Sequence, residues 1–308
     1  MQNNTLITGY TNPDLDATAC AIAYGEFLQK SGQEVVVALF GTPHREAQFA
    51  LDYFQVASPL NAEGLVNEQT HVILVDASDL RGISEILVPN QVIEIIDHRK
   101  VHEADKFPNA KTQIELVGSA ATLIAEKFFA NNVTISSSSA GLLYSAIISN
   151  TVNFQADVTA DRDRKMADWL RKNVVIPEGY IKQMFTAKSQ FKKSLKEVIE
   201  DDFASFEFNG HTLGVAQLEI VNVQELITTR LPEITAALAD IQSERGLEYI
   251  FLTAIDLHEA TNTFVVIDNK TQKLLEECLD VAFVDRVAGK QGIMMRKTIV
   301  PLIKEKLI

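Results

Sequence analysis

Three short apolar runs, each stopping at an acid, constrain this chain more than any other feature. Leu6-Ile7-Thr8 ends at Gly9, and Tyr10-Thr11-Asn12-Pro13 then turns into Asp14-Leu15-Asp16 and an apolar-periodic stretch from Ala17 to Leu28. His71 to Val75 ends in Asp76, and Gln91 to Ile96 ends in Asp97-His98-Arg99. A run of four to six apolar residues bounded by turn residues reads as a buried strand, and the period that follows Asp16 reads as a helix. In a parallel sheet, the loops after the carboxyl ends of the strands are where ligands bind. Carboxylates gathered there repel one another unless a cation lies between them. Each aspartate alone could be a helix or loop cap. Together, hard oxygen donors and one imidazole suit Mg²⁺ or Mn²⁺ better than a soft, thiolate-binding metal.

The rest of the chain supports an α/β class. Val35 to Phe40 reads as a strand, Arg45 to Phe54 as a helix, and Ile83 to Leu87 as a short helical piece. Gln113 to Val117 precedes Gly118-Ser119-Ala120 and a helix over 121–129; Ala140 to Ser149 is a further helix, leading into Asn150. This alternation predicts a mostly parallel sheet with helices on both faces over 1–187. The basic stretch Lys188 to Lys196 reads as a linker running into a helix, bounded at 188–202. Beyond it, 203–308 reads as a smaller mixed α/β domain. It has a hairpin around Asn209-Gly210, a helix over 223–243, strands over 249–255 and 263–267, a helix near 274–278, and a strand-like basic end over 294–302. Trp169 reads as packing.

The chain has 308 residues and a formal charge of −13, which argues against a general nucleic-acid surface. Met1 to Asn4 is polar and no apolar run reaches the roughly 20 residues of a membrane span. Cys20 and Cys278 lie far apart in apolar helical settings and read as buried thiols. The expectation is a soluble cytoplasmic protein with a small anionic substrate.

These motifs resemble the DHH phosphoesterases, and within them the manganese-dependent (family II) inorganic pyrophosphatases. The resemblance rests on Asn12-Pro13-Asp14-x-Asp16, Asp76, Asp97-His98-Arg99 and Gly118-Ser119-Ala120. It also rests on Gly41-Thr42-Pro43 with Ala50 to Phe54, and on Met295-Arg296-Lys297-Thr298 near the end, which looks like the basic motif of a DHHA2-type domain. It implies a hydrolase acting on pyrophosphate or a short polyphosphate, with Mn²⁺ or Mg²⁺, as a homodimer. It implies metal ligands Asp14, Asp16, Asp76, His98 and Asn150, with Asp14 and Asp76 on a first ion and Asp16, Asp76 and His98 on a second. Asp76, His98 and Arg99 would carry catalysis; Arg296, Lys297, Arg99 and His211 would bind substrate.

The chain departs from that family at Tyr10 and Arg99, where it has histidines, at Asn150, where it has aspartate, and at Thr298. A phenol that titrates near ~10 is a poor ligand at neutral pH. These exchanges shift the site from two divalent ions toward one, with an arginine supplying part of the second ion's field. The Asp-His-Arg triplet also resembles prune-type short-chain exopolyphosphatases. Two other readings stay open: a phosphodiesterase of short or cyclic dinucleotides, and a catalytically weakened phosphate- or metal-binding regulator.

Overall fold

The computed structural model describes residues 5–189 and 193–307. These divide into two compact units, 1–154 with 158–187, and 155–157 with 188–308.

The first unit is built on a six-stranded, all-parallel sheet. In chain order its elements are β1 (Thr5–Thr8), α1 (Leu15–Lys30), β2 (Val35–Leu39), α2 (Arg45–Tyr53), β3 (Leu60–Asn61), β4 (His71–Val75), β5 (Val92–Asp97), β6 (Lys111–Ile114), α3 (Ala120–Ala130), α4 (Ser137–Asn150), α5 (Asp161–Arg171) and α6 (Tyr180–Lys188). The sheet order is β3-β2-β1-β4-β5-β6. Helix α1 packs against α3 and α4, and Ala17, Ala19, Ala21 and Ala23 on it are fully buried, as expected of a helix covered nearly all round. Ile7 faces this helix, whereas Leu6 points to the opposite side of the sheet.

That opposite side carries no long helix among the described residues. Leu6, Val72, Leu74, Val92 and Ile95 pack there under Ile83, Leu87, Ala104 and Phe107. The segment expected to be helical at 83–87 is turns and irregular chain. Its Ile83 and Leu87 are buried all the same, so the apolar signal was real and marked a core-covering loop.

The second unit starts with α7 (Leu195–Asp201), β7 (Phe203–Phe208), β8 (His211–Ile220) and α8 (Val223–Arg245). It continues with β9 (Tyr249–Asp256), β10 (Thr261–Val266), α9 (Asn269–Leu279), β11 (Val287–Gln291) and α10 (Arg296–Leu307). Its sheet order is β11-β10-β9-β8-β7, with β8 and β9 parallel and the other pairs antiparallel. The β7–β8 hairpin turns on Asn209 and Gly210, both left-handed at φ 50° and 82°. Leu218, Ile220, Leu252 and Ala254 pack under α8, and Phe251, Phe264 and Val266 under α9 and α10. Within 188–202, read as a linker, Leu195 and Ile199 of α7 are buried in this core; residues 190–192 lie outside the described ones.

The end of the chain corrects the reading of 294–302 as a strand. Ile299, Val300 and Pro301 look strand-like, but Ile299, Val300 and Ile303 form one apolar helix face that buries against Leu274 and Leu275 of α9. Cys20 is buried as expected, whereas Cys278 is only half-buried; neither is in a disulfide.

Candidate metal centre

The acids at the strand ends are placed by backbone the sheet fixes. Asp76 follows β4 with φ 51°, a left-handed conformation that short polar side chains tolerate best, and its N–H donates to Ile96 O at 2.8 Å. Asp97 ends β5 fully buried; it accepts the Ser78 hydroxyl and the His98 N–H, the latter at 2.7 Å. The chain therefore turns at Asp97, and His98 points back over the strand ends. Its Nδ1 donates to Val117 O at 2.9 Å, which leaves Nε2 facing the carboxylates.

Asp16, one residue into α1, is fully buried. Its Oδ2 accepts from Ala120 N at 2.9 Å and Asn150 Nδ2 at 2.6 Å; its Oδ1 accepts from Ala121 N at 2.9 Å and Cys20 Sγ at 3.3 Å. The N-terminus of α3 thus holds this carboxylate with backbone N–H groups and the helix dipole.

Among the described residues one group of metal-capable side chains converges: Asp16, Asp76 and His98, whose ligand atoms all lie within 4.8 Å of one another. His98 Nε2 is 3.4 Å from Asp76 Oδ1 and 3.9 Å from Asp16 Oδ2. Asp76 Oδ1 is buried and has no hydrogen-bond partner. An unsatisfied buried carboxylate oxygen is costly, and a divalent cation is the partner that two carboxylates and a neutral imidazole fit.

The other expected ligands stand differently. Asp14 is the N-cap of α1 and accepts from Ala17 N at 2.9 Å. Asn150 reaches the cluster as a donor to Asp16, so its amide restrains a ligand. Tyr10 donates its hydroxyl to Asp79 at 2.7 Å, and burial drives its phenol well above the ordinary range. Arg99 lies between the two sets: Nη2 is 3.6 Å from Asp76 Oδ1, Nε is 3.9 Å from Asp97 Oδ1, and the guanidinium sits 4.4 Å from the Tyr10 ring centroid.

Asp163, which no motif singled out, ties the centre together. It is fully buried and accepts from Gly118 N at 2.8 Å, Ala160 N at 2.7 Å and the Thr122 hydroxyl at 2.5 Å. A Cβ at Gly118 would lie 2.8 Å from that carboxylate and 2.5 Å from Thr151, so glycine is what lets the loop approach. This loop carries both Val117 O, which orients His98, and the N–H groups that hold Asp16. Its only sequence signal was an acid three residues after Ala160 at a helix start.

In the second unit, Arg296 opens α10. Its N–H donates to Gln217 Oε1 at 2.7 Å, its Nη1 to Asp202 O at 2.9 Å, and its Nη2 lies 2.7 Å from Asp202 Oδ1. The preceding segment is held by Asn262, which exchanges hydrogen bonds with the backbone of Met294 at 2.8 and 2.9 Å. His211 is paired with Glu248 at 2.6 Å, beside Lys270.

The cluster's electrostatics give it a proton to lose. Burial pushes the Asp76 carboxyl up to about 7, against the pull of Arg99. Burial alone would lower His98, but the Asp76 carboxylate 3.4 Å away and the charge of Asp16 outweigh this and raise it to about 9. Near pH 6 both groups hold protons that a metal must displace. Mn²⁺ affinity should therefore tighten as pH rises from about 6 to about 9, by up to roughly tenfold per unit for each proton released. Calorimetric titrations in buffers of different ionisation enthalpy read both the affinity and the released proton; a pH-independent Kd would contradict this electrostatic picture.

Residues 4–147 match the DHH family, N-terminal domain, and residues 182–306 the DHHA2 domain. The manganese-dependent inorganic pyrophosphatase of Bacillus subtilis (strain 168) is 30% identical over 305 residues, which cover 98% of each chain. The chain belongs to this pyrophosphatase family. A probable manganese-dependent inorganic pyrophosphatase of Bacillus velezensis matches with the same identity and coverage. Among solved structures, a putative family II inorganic pyrophosphatase of Methanococcus jannaschii superposes with a TM-score of 0.79 at 30% identity, covering 98% of this chain and 99% of that one. An exopolyphosphatase-related protein of Bacteroides fragilis shares the fold, with a TM-score of 0.53 at 14% identity. The expected fold class holds: a parallel α/β pyrophosphatase-type unit followed by a mixed one.

Proposed function

We propose that this protein hydrolyses inorganic pyrophosphate to two orthophosphates in a Mn²⁺-dependent reaction. The observation that carries the reading is the orphaned, buried Asp76 Oδ1 facing His98 Nε2 beside Asp16, in a chain of this family. Asp16, Asp76 and His98 would hold the Mn²⁺, which when bound would supply a water of lowered pKa and offset charge on a phosphoryl group. The protein's own part is to hold the ligands. Val117 fixes the His98 tautomer, the α3 N-terminus fixes Asp16, and Asp97 fixes the turn that delivers His98. Arg99 adds a guanidinium whose fork matches phosphate oxygens. Phosphate release from pyrophosphate, tripolyphosphate and a dinucleotide, each with Mn²⁺, Mg²⁺ and Co²⁺, tests the reading. Pyrophosphate with Mn²⁺ should be fastest; no release from pyrophosphate with any of these ions would refute it.

The reading gives Arg296, Lys297 and His211 the contact to substrate phosphate; Arg296 is engaged by Asp202 and His211 by Glu248, partners that substrate would displace. Arg296→Ala should raise KM for pyrophosphate by roughly 30- to 150-fold, about 2–3 kcal/mol for a lost charge-assisted bond, and leave the Mn²⁺ Kd unchanged. Steady-state kinetics beside Mn²⁺ titration separates the two; a variant with wild-type KM removes Arg296 from the substrate contact. The reading also includes a cytoplasmic setting, supported by the two unpaired cysteines, and a homodimer. The dimer is supported by β6, an edge strand of the first sheet, and sedimentation velocity tests it. No described helix is long and apolar enough to cross a membrane.

A further inference from the structure

We propose that the Arg99 guanidinium is a built-in cation standing in for a second divalent ion, so that the protein takes one metal ion per chain and presents substrate with that ion and an arginine side by side. The inference rests on the pyrophosphatase reading above and narrows it. Asp76 is the carboxylate common to both halves of the centre. Its Oδ1 has His98 Nε2 at 3.4 Å and Arg99 Nη2 at 3.6 Å. The His98 side continues to Asp16 and completes a ligand set. Among the described residues the Arg99 side offers no group of three metal-capable side chains. Asp14 caps α1 through Oδ1, and the Tyr10 hydroxyl donates to Oδ2 of Asp79, whose Oδ1 is buried without a partner.

The arginine is also built in. Its guanidinium lies on the Tyr10 ring with Asp97 and Asp76 at its edge. The ring is anchored in turn: its hydroxyl accepts from Ser78 N at 3.4 Å while donating to Asp79, and the next residue's N–H donates to Gly82 O at 2.7 Å. Tyr10, Ser78 and Asp79 therefore form a platform that fixes a cation beside Asp76. A divalent ion on that side would have to displace a guanidinium, which cannot shed its charge by losing a proton. The same group, with its planar set of donors, suits a phosphate oxygen pair bridging from the bound ion.

Metal stoichiometry measured without substrate tests this independently of hydrolysis. Chelator-stripped protein titrated with Mn²⁺ should bind one ion per chain by calorimetry. It should show the six-line spectrum of an isolated Mn²⁺ by electron paramagnetic resonance. Tyr10→His combined with Arg99→His should raise the stoichiometry to two and produce a spin-coupled spectrum, whereas Tyr10→Phe, which keeps the ring platform, should stay at one. Two coupled ions in the unaltered protein, no bound ion, or a double variant that keeps its circular dichroism yet still takes one ion would each overturn the proposal. Two ions with pyrophosphate hydrolysis intact would sink the arginine's role alone. One ion without any hydrolysis would sink the pyrophosphatase reading and leave the arginine's role standing.

Discussion

Asp76→Asn is expected to lose at least about a hundredfold in pyrophosphate turnover under saturating Mn²⁺, the span seen when a principal electrostatic group is removed. The change is nearly isosteric, and asparagine accepts the left-handed backbone that Asp76 adopts at φ 51°. What it removes is the charge of the one carboxylate that both His98 and Arg99 face. Kinetics beside Mn²⁺ titration separates lost turnover from lost metal. Near-full turnover in the variant would show that the reactive centre lies elsewhere.

Asp163→Ala should be the most damaging single change to the first unit, by about 3–5 kcal/mol. Two backbone N–H groups and a threonine hydroxyl would lose their acceptor in a site without exposure, each at roughly 1–3 kcal/mol less whatever relaxation recovers. The damage should also reach the metal. Gly118 anchors the loop whose Val117 carbonyl orients His98 and whose following helix start binds Asp16, so Mn²⁺ affinity should fall although Asp163 touches neither ligand. Urea unfolding followed by circular dichroism, paired with Mn²⁺ titration, reads both effects. A loss under about 1 kcal/mol would mean that water or a neighbouring group takes over the three donors.

The strand end at Asp76 was legible because the run before it is buried on both faces, so its apolar residues are continuous and the first polar residue marks where the sheet stops; the run before Asp97 is interrupted by half-buried Glu94 and is read from the apolar residues on either side of it. Asp16, Asp76 and His98 follow from that punctuation. The register that aims each side chain does not. Asp14 and Asp16 are indistinguishable in sequence, yet one points along its own helix as a cap and the other reaches α3, more than a hundred residues away. The role of Asp163 was illegible for the same reason: its partners are backbone groups, which have no residue identity to recognise. Beyond the sheet, β-branched residues misled at 294–302, where Ile299 and Val300 suggested a strand and only the packing against α9 decides for a helix. At 83–87 the chain has helix-like apolar spacing but covers a sheet face as loop.

The stacking of Arg99 on Tyr10 bears on how such a site tolerates substitution. Each residue makes sense in the presence of the other: the ring gives the guanidinium a face, and the guanidinium lies 3.6 Å from the Asp76 carboxylate. Replacing either alone leaves a bulky partner without its counterpart, so changes at the two positions are expected not to be additive. The pair behaves as one unit: what surrounds it can be refined by single steps, whereas the pair itself can be exchanged only as a pair.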